Sequence, residues 1–130
     1  MNNVEGSLNL IEASVNSGVE YFVFSSSAAV YGNPVYTPID EKHPTNPKNP
    51  YGDSKLISEN IIKQYCFWKK INCICLRYFN VIGNYYSEPL NKHGLPYNLL
   101  TCLKNKKDFV IFGKDYNTKD GTPLRDYINV

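Results

Sequence analysis

The sequence predicts an α/β fold built on a parallel sheet. Three observations carry this: an apolar helical repeat near the start, two short runs rich in β-branched and aromatic residues, and a second helical repeat between those runs. Helix, strand, loop, helix, strand is the order in which a crossover helix returns the chain to lay a second strand parallel to the first. Taken in order, Val4, Leu8, Ile11 and Val15 recur at helical spacing, and Gly18 stands where a left-handed cap would stop that helix. "YFVFSS", residues 21–26, reads as a buried strand ending in serines. Proline-rich "NPVYTPIDEKHPTNPKNP" reads as a long loop, and a long ordered loop inside a compact domain is usually functional. A helix is predicted from about Tyr51 to Trp68, with Ile57, Ile61, Tyr65 and Trp68 as its apolar stripe, followed by a second buried strand at "CICLRYF", residues 73–79.

Beyond Gly83 the pattern loosens. "GNYYSEPLNKHG" reads as a loop, "PYNLLTCLKN" as a short helix and "DFVIFG" as a strand, while "DYNTKDGTPLRDYINV" is a turn-rich segment leading into a last short strand. The predicted division is therefore a sheet domain over residues 1–83 and the start of a smaller second lobe over residues 84–130.

Composition sets the outer limits. With 130 residues, 42% hydrophobic and 20% charged, the chain is in the ordinary globular range, and a net charge of +2 is too small and dispersed to suggest nucleic acid as a partner. Apolar runs such as "YFVF" and "CICL" are far short of a membrane span, and Met1 is followed by polar residues and not by a signal-peptide pattern, so a soluble, cytoplasmic protein is expected. Cys66, Cys73, Cys75 and Cys102 form no C-x-x-C and lie in apolar stretches, which predicts buried free thiols and no metal site.

The stretch that raises a chemical question is "NPYGDSK", residues 49–55. Positions i and i+4 of a helix lie about 40° apart around the axis and about 6 Å along it, so Tyr51 and Lys55 can face one ligand. An ammonium beside a phenol favours the phenolate, whose reference pKa is about 10, and so makes a general base. The alternative is an exposed first turn, with Tyr51 packed on the surface and Lys55 solvated, because this spacing alone is common. Placement argues for chemistry: the first strand runs into "SSSAAVYG", and ligands of open α/β sheets bind at the carboxyl ends of the strands. Ser27 would stand there beside Tyr51 and Lys55, supplying a hydroxyl that orients a carbonyl or alcohol, unless Ser25, Ser26 and Ser27 only satisfy backbone groups at the strand end.

"FSSSAAVYG", "PYGDSK", "RYFNVIG" and "YNTKDGTPLRDYINV" together resemble the UDP-glucose 4-epimerases (UDP-galactose 4-epimerases) of the extended short-chain dehydrogenase/reductase superfamily, over essentially the whole chain from Asn2 to Val130. Y-x-x-x-K marks only the superfamily, whereas "DGT" before "RDYI" and the "YFN" after the second strand are more specific to the epimerases. The resemblance implies that residues 1–83 are the C-terminal part of a Rossmann-like NAD-binding domain and that residues 84–130 begin a UDP-sugar-binding lobe. It implies Tyr51 as catalytic base and acid, Ser27 as the active-site serine, and Lys55 as the lysine that holds the nicotinamide ribose while tuning the tyrosine. Asn2 and Phe79 match positions near the cofactor, and Asn80, Asn98, Val110, Ile111, Phe112 and Arg125 match positions that bind the UDP-sugar. Arg125 also makes sense by itself, since a guanidinium suits a diphosphate, although an ion pair with Asp126 or Asp120 would account for it equally. The implied reaction interconverts UDP-galactose and UDP-glucose through a 4-keto sugar with tightly held NAD, in a cytoplasmic homodimer.

Departures from the epimerase pattern are Ala29 for a usual threonine, "VIG" after Asn80, a short loop "NYYSEPLNKHG", and Asn129 for a usual histidine. No G-x-x-G-x-x-G or G-x-G-x-x-G is present, so the phosphate-cradling turn of such a domain is not in these residues. The chain accordingly reads as an internal fragment that binds NAD poorly and is inactive in isolation, with the strand at 21–26 left as an open sheet edge. Other readings are a nucleotide-sugar dehydratase or decarboxylase of the same superfamily, a non-catalytic remnant or interaction module, and a serine hydrolase on Ser27. The hydrolase lacks a G-x-S-x-G elbow, and its only histidines, His43 and His93, lie in loops.

Overall fold

The structure is a computed structural model that describes residues 2–83 and 94–129. The chain divides into two compact units, Met1–Phe79 and Asn80–Val130.

The first unit runs α1 (Asn2–Asn16), β1 (Tyr21–Ser27), a 3₁₀ turn (Ala28–Val30), α2 (Pro50–Lys69) and β2 (Asn72–Tyr78). The expected stop at Gly18 is present, with φ at 73°. α2 begins where Asn49 accepts a hydrogen bond from the Gly52 N–H at 2.8 Å and Pro50 takes the first helical position, which needs no N–H. It ends on Lys70 in the left-handed conformation. β1 and β2 pair in parallel, in register from Tyr21 opposite Asn72 to Ser27 opposite Tyr78. Both helices cover one face of this pair, and Ile11, Phe22, Ile62 and Cys66 form the core, with Leu8, Phe24, Tyr65, Ile71 and Cys73 packed against it.

Four expectations need correction here. β2 is not a buried strand, since Ile74 and Leu76 are exposed. Only Cys66 of the four thiols is buried, Cys73, Cys75 and Cys102 being half-buried. The readings of α2 and β1 also change. α2 does not bury the stripe Ile57, Ile61, Tyr65 and Trp68: Ile57 and Trp68 are 48% and 75% exposed, and the inward face is Gly52, Ser58, Glu59, Ile62 and Cys66. The most apolar line along the helix is not the line that meets the sheet, because Ser58 and Glu59 are buried with hydrogen-bond partners. β1 is not buried on both faces either. Phe22 and Ser26 are covered, while Tyr21 and Val23 are 71% and 62% exposed, because among the described residues helices lie on one face only.

The second unit contains β3 (Asn80–Ile82), α3 (Leu95–Lys104) and β4 (Tyr127–Asn129), with β3 and β4 paired in parallel. Asp120 organises the turn before β4, accepting hydrogen bonds from the N–H and hydroxyl of Thr122 at 3.0 and 2.9 Å. The strand expected at residues 108–113 does not form: among the described residues this segment has no ladder partner, and Val110, Ile111 and Phe112 are exposed. Of the loop read at residues 83–94, residues 84–93, His93 included, lie outside the described residues. Among the described residues no helix is long and apolar enough to cross a membrane.

Gly52 is where α2 meets the turn after β1. A Cβ there would stand 2.6 Å from the carbonyl oxygen of Ala29 and 3.0 Å from Cβ of Pro47. Gly52→Ala is therefore expected to destabilise the fold by about 1–3 kcal/mol, as overpacking does, read as a lower urea midpoint; an unchanged midpoint would contradict this packing.

Candidate functional site

Ser27 closes β1 and caps the 3₁₀ turn, its Oγ accepting from the Ala29 N–H at 3.2 Å. That bond uses a lone pair and leaves the hydroxyl proton able to donate to a ligand oxygen. Lys55 reaches across from α2 and donates from Nζ to the carbonyl of Ser25 at 3.1 Å. Its ammonium sits 5.1 Å from the ring centroid of Phe24 and 6.0 Å from that of Tyr51. Tyr51 lies one turn earlier on α2, half exposed, beside Gly52 and its contact with Ala29. Ser27 thus closes the strand whose Ser25 carbonyl Lys55 holds, and Tyr51 stands one turn before Lys55 on α2.

Asn2 opens α1. The next residue is tied to α2, Asn3 donating to Oγ of Ser54 at 3.0 Å and its carbonyl accepting from Ser58 at 3.2 Å, so Asn2 is held beside the helix that carries Tyr51 and Lys55. Phe79 follows β2, 38% exposed, and borders a groove of about 380 Å³ with Tyr31, Asp40, Lys63 and Arg77. The remaining expected residues belong to the second unit. Asn80 donates from its N–H and its side-chain amide to the carbonyl of Asp126, at 3.2 and 2.8 Å, which binds β3 to the residue after Arg125. Arg125 donates to the carbonyl of Leu124 at 2.7 Å and forms neither of the ion pairs considered for it. Asn98 is exposed on α3, and Val110, Ile111 and Phe112 lie exposed in the segment after it.

Glu59 was not singled out by the sequence, yet it is the most constrained charge of the first unit. It is fully buried, with Oε1 accepting from Ser26 Oγ at 2.5 Å and Arg77 Nε at 2.9 Å, and Oε2 accepting from Arg77 at 2.7 Å and Lys63 at 3.0 Å. Arg77 in turn lies over the Tyr31 ring at 4.8 Å, and Tyr31 meets His43 edge-on at 5.4 Å. His43, 3% exposed, accepts from the Val35 N–H through Nε2 and donates through Nδ1 to the Pro44 carbonyl, so a neutral ring braces the long loop. The only sequence signal for Glu59 was its place in Lys55, Glu59 and Lys63 at i+4 steps, a pattern shared with any solvated helix face.

Burial alone would push the Glu59 carboxyl up, but hydrogen bonds from Arg77, Ser26 and Lys63 and the Arg77 charge outweigh it and hold it at about 2 against an ordinary 4.5. Stability from this depressed carboxylate is complete above about 4.5 and is lost as pH falls toward 2. Arg77, Ser26 and Lys63 together therefore contribute on the order of 3 kcal/mol that acid removes. Urea unfolding at neutral pH and near the acid limit should show an acid loss smaller by about that amount in Glu59→Gln than in the wild type. Equal acid losses would contradict the assignment.

A family model for the NAD dependent epimerase/dehydratase family matches residues 1–130. The chain is 41% identical to a UDP-glucose 4-epimerase of Rhizobium meliloti (strain 1021), an alignment that covers 99% of this chain and 41% of that protein. Among solved structures, it is similar to UDP-glucose 4-epimerase from Brucella ovis in complex with NAD, with TM-score 0.87 and 35% identity over 98% of this chain and 41% of that one. UDP-glucose 4-epimerase from Bifidobacterium longum in complex with NAD+ and UDP gives TM-score 0.84 and 36% identity over 98% of this chain and 41% of that one. The chain thus spans about two-fifths of the length of the relatives it matches. With a match over its whole length, and with the sheet and helices of that fold, the chain belongs to the NAD dependent epimerase/dehydratase family.

Proposed function

We propose that these residues form the proton-handling part of a UDP-glucose 4-epimerase, which interconverts UDP-galactose and UDP-glucose through a 4-keto sugar. The observation that carries this reading is the Lys55 ammonium, fixed on the Ser25 carbonyl and turned toward Tyr51, at the strand end that also holds Ser27. In this reading Tyr51 takes the proton of the sugar 4-hydroxyl and later returns it to the epimeric alcohol. Ser27 donates its hydroxyl proton to the same oxygen and so orients it. A phenol and an ammonium on the helix that follows a parallel strand, with a serine hydroxyl at that strand's carboxyl end, suit a nicotinamide riboside, and Asn2, Ser27, Tyr51, Lys55 and Phe79 are the residues assigned to hold it. The NAD+ that these residues would hold would supply hydride acceptance and return at C4 of the sugar.

Asn80, Asn98, Val110, Ile111, Phe112 and Arg125 of the second unit are assigned to the UDP moiety. Binding through UDP is equally strong in substrate and intermediate, so it retains the keto sugar without favouring either epimer while the ring turns. A cytoplasmic setting and a homodimer accompany this assignment on the resemblance alone. A dehydratase of the same family is the second reading; it is disfavoured by the alanines that follow Ser27, where loss of water calls for acid groups at the strand end.

The test grafts residues 1–130 into a full-length UDP-glucose 4-epimerase in place of the matching segment. UDP-galactose should yield UDP-glucose with no loss of water, and Tyr51→Phe should lower turnover about 10²-fold or more while UDP affinity stays unchanged. Full activity in the variant would remove Tyr51 as the base, and a dehydrated product would favour the second reading.

A further inference from the structure

Lys55 and Glu59 stand one turn apart on α2 and hold consecutive residues of β1: Lys55 the carbonyl of Ser25, Glu59 the hydroxyl of Ser26. Ser27 comes next. Two polar grips spaced by one helical turn fix the axial position of a helix against a strand more sharply than apolar contacts, which tolerate sliding. The sheet contributes its own anchor, since Arg77 of β2 holds both oxygens of Glu59 in a forked pair and lies over Tyr31 just beyond the turn that Ser27 caps. Stability alone does not account for this arrangement. A well-packed apolar pair of similar volume commonly serves stability as well as a buried ion pair does. What apolar side chains cannot do is bind the Ser26 hydroxyl at one defined point.

We infer that Glu59 is a positioning residue for the proposed reaction: with Arg77 as its counterion, it grips Ser26 and so sets the placement of Ser27 relative to Tyr51. This rests on the epimerase reading only for its catalytic consequence. A misplacement of about 1 Å between reacting groups can cost about 10²-fold in rate without altering substrate affinity. Ser26→Ala removes the grip and leaves the Glu59–Arg77 pair intact. Ser26→Thr restores a hydroxyl on a β-branched residue suited to a strand. Glu59→Leu combined with Arg77→Met removes the grip and both charges together, which avoids stranding a buried charge.

The experiment measures, for these variants in the same graft, the unfolding midpoint, kcat and KM for UDP-galactose, and hydrogen exchange at the Ala29 amide. Ser26→Ala and the double variant are expected to lower kcat about 10-fold or more with KM unchanged, and to speed Ala29 exchange about 10-fold while Ile62 exchange holds. Ser26→Thr should return both readouts to within about threefold of wild type. Folded variants with wild-type kcat would overturn the inference, even where Ala29 exchange is faster. So would a KM that rises in step with a constant kcat. If the wild-type graft exchanges normally but turns over no UDP-galactose, the epimerase reading fails, and Ala29 exchange alone then decides whether Glu59 places the Ser27 turn.

Discussion

The first unit depends on the buried carboxylate of Glu59. A carboxylate taken wholly out of water loses hydration worth several kcal/mol, and an unpaired one would protonate or unfold its surroundings. Here Ser26, Arg77 and Lys63 direct four hydrogen bonds at its two oxygens, and they reverse the effect of burial. Because these donors come from β1, β2 and α2 itself, the charge can be satisfied only when strand, strand and helix are in register. An electrostatic requirement thereby becomes a geometric one.

Geometry is what the proposed chemistry needs. Apolar packing of Ile11, Phe22, Ile62 and Cys66 holds the helices on the sheet, but it does so at the end of β1 remote from Ser27. Toward the carboxyl end the contacts become polar: Lys55 on Ser25, Glu59 on Ser26, and the Ser27 hydroxyl on its own turn. Gly52 admits the Ala29 carbonyl at a distance no other side chain would allow, so helix and turn approach closely where Tyr51 emerges. The long loop is tied into the same network through His43, Tyr31 and Arg77. The half-exposed Tyr51 phenol is thus carried by α2 and the Ser27 hydroxyl by the end of β1, two elements joined by these contacts.

Much of this was legible in the residues. Val4, Leu8, Ile11 and Gly18 gave the first helix and its stop because local periodicity and a left-handed cap act within a few residues. "NPYGDSK" gave the start of α2 through a capping asparagine followed by proline, and with it the placement of Tyr51 and Lys55. The inward face of α2 was misread, since hydrophobicity pointed to Ile57 and Trp68 whereas tertiary partners make Ser58 and Glu59 the buried ones. Arg77 and Glu59 look like ordinary surface charges until the packing of α2 on β2 brings them together across 18 residues. "DFVIFG" has strand composition, but a strand also needs a ladder, and composition cannot supply a neighbour.

The most direct test of this account is the crystal structure of residues 1–130 carried in a full-length epimerase framework, with NAD and UDP-galactose bound. The sugar O4 is expected within about 2.6–3.2 Å of both the Tyr51 phenol oxygen and Ser27 Oγ. Lys55 and Glu59 should still hold Ser25 and Ser26 in that complex. A sugar whose O4 lies beyond reach of both hydroxyls, or a Glu59 turned away from Ser26 in the complex, would contradict this account.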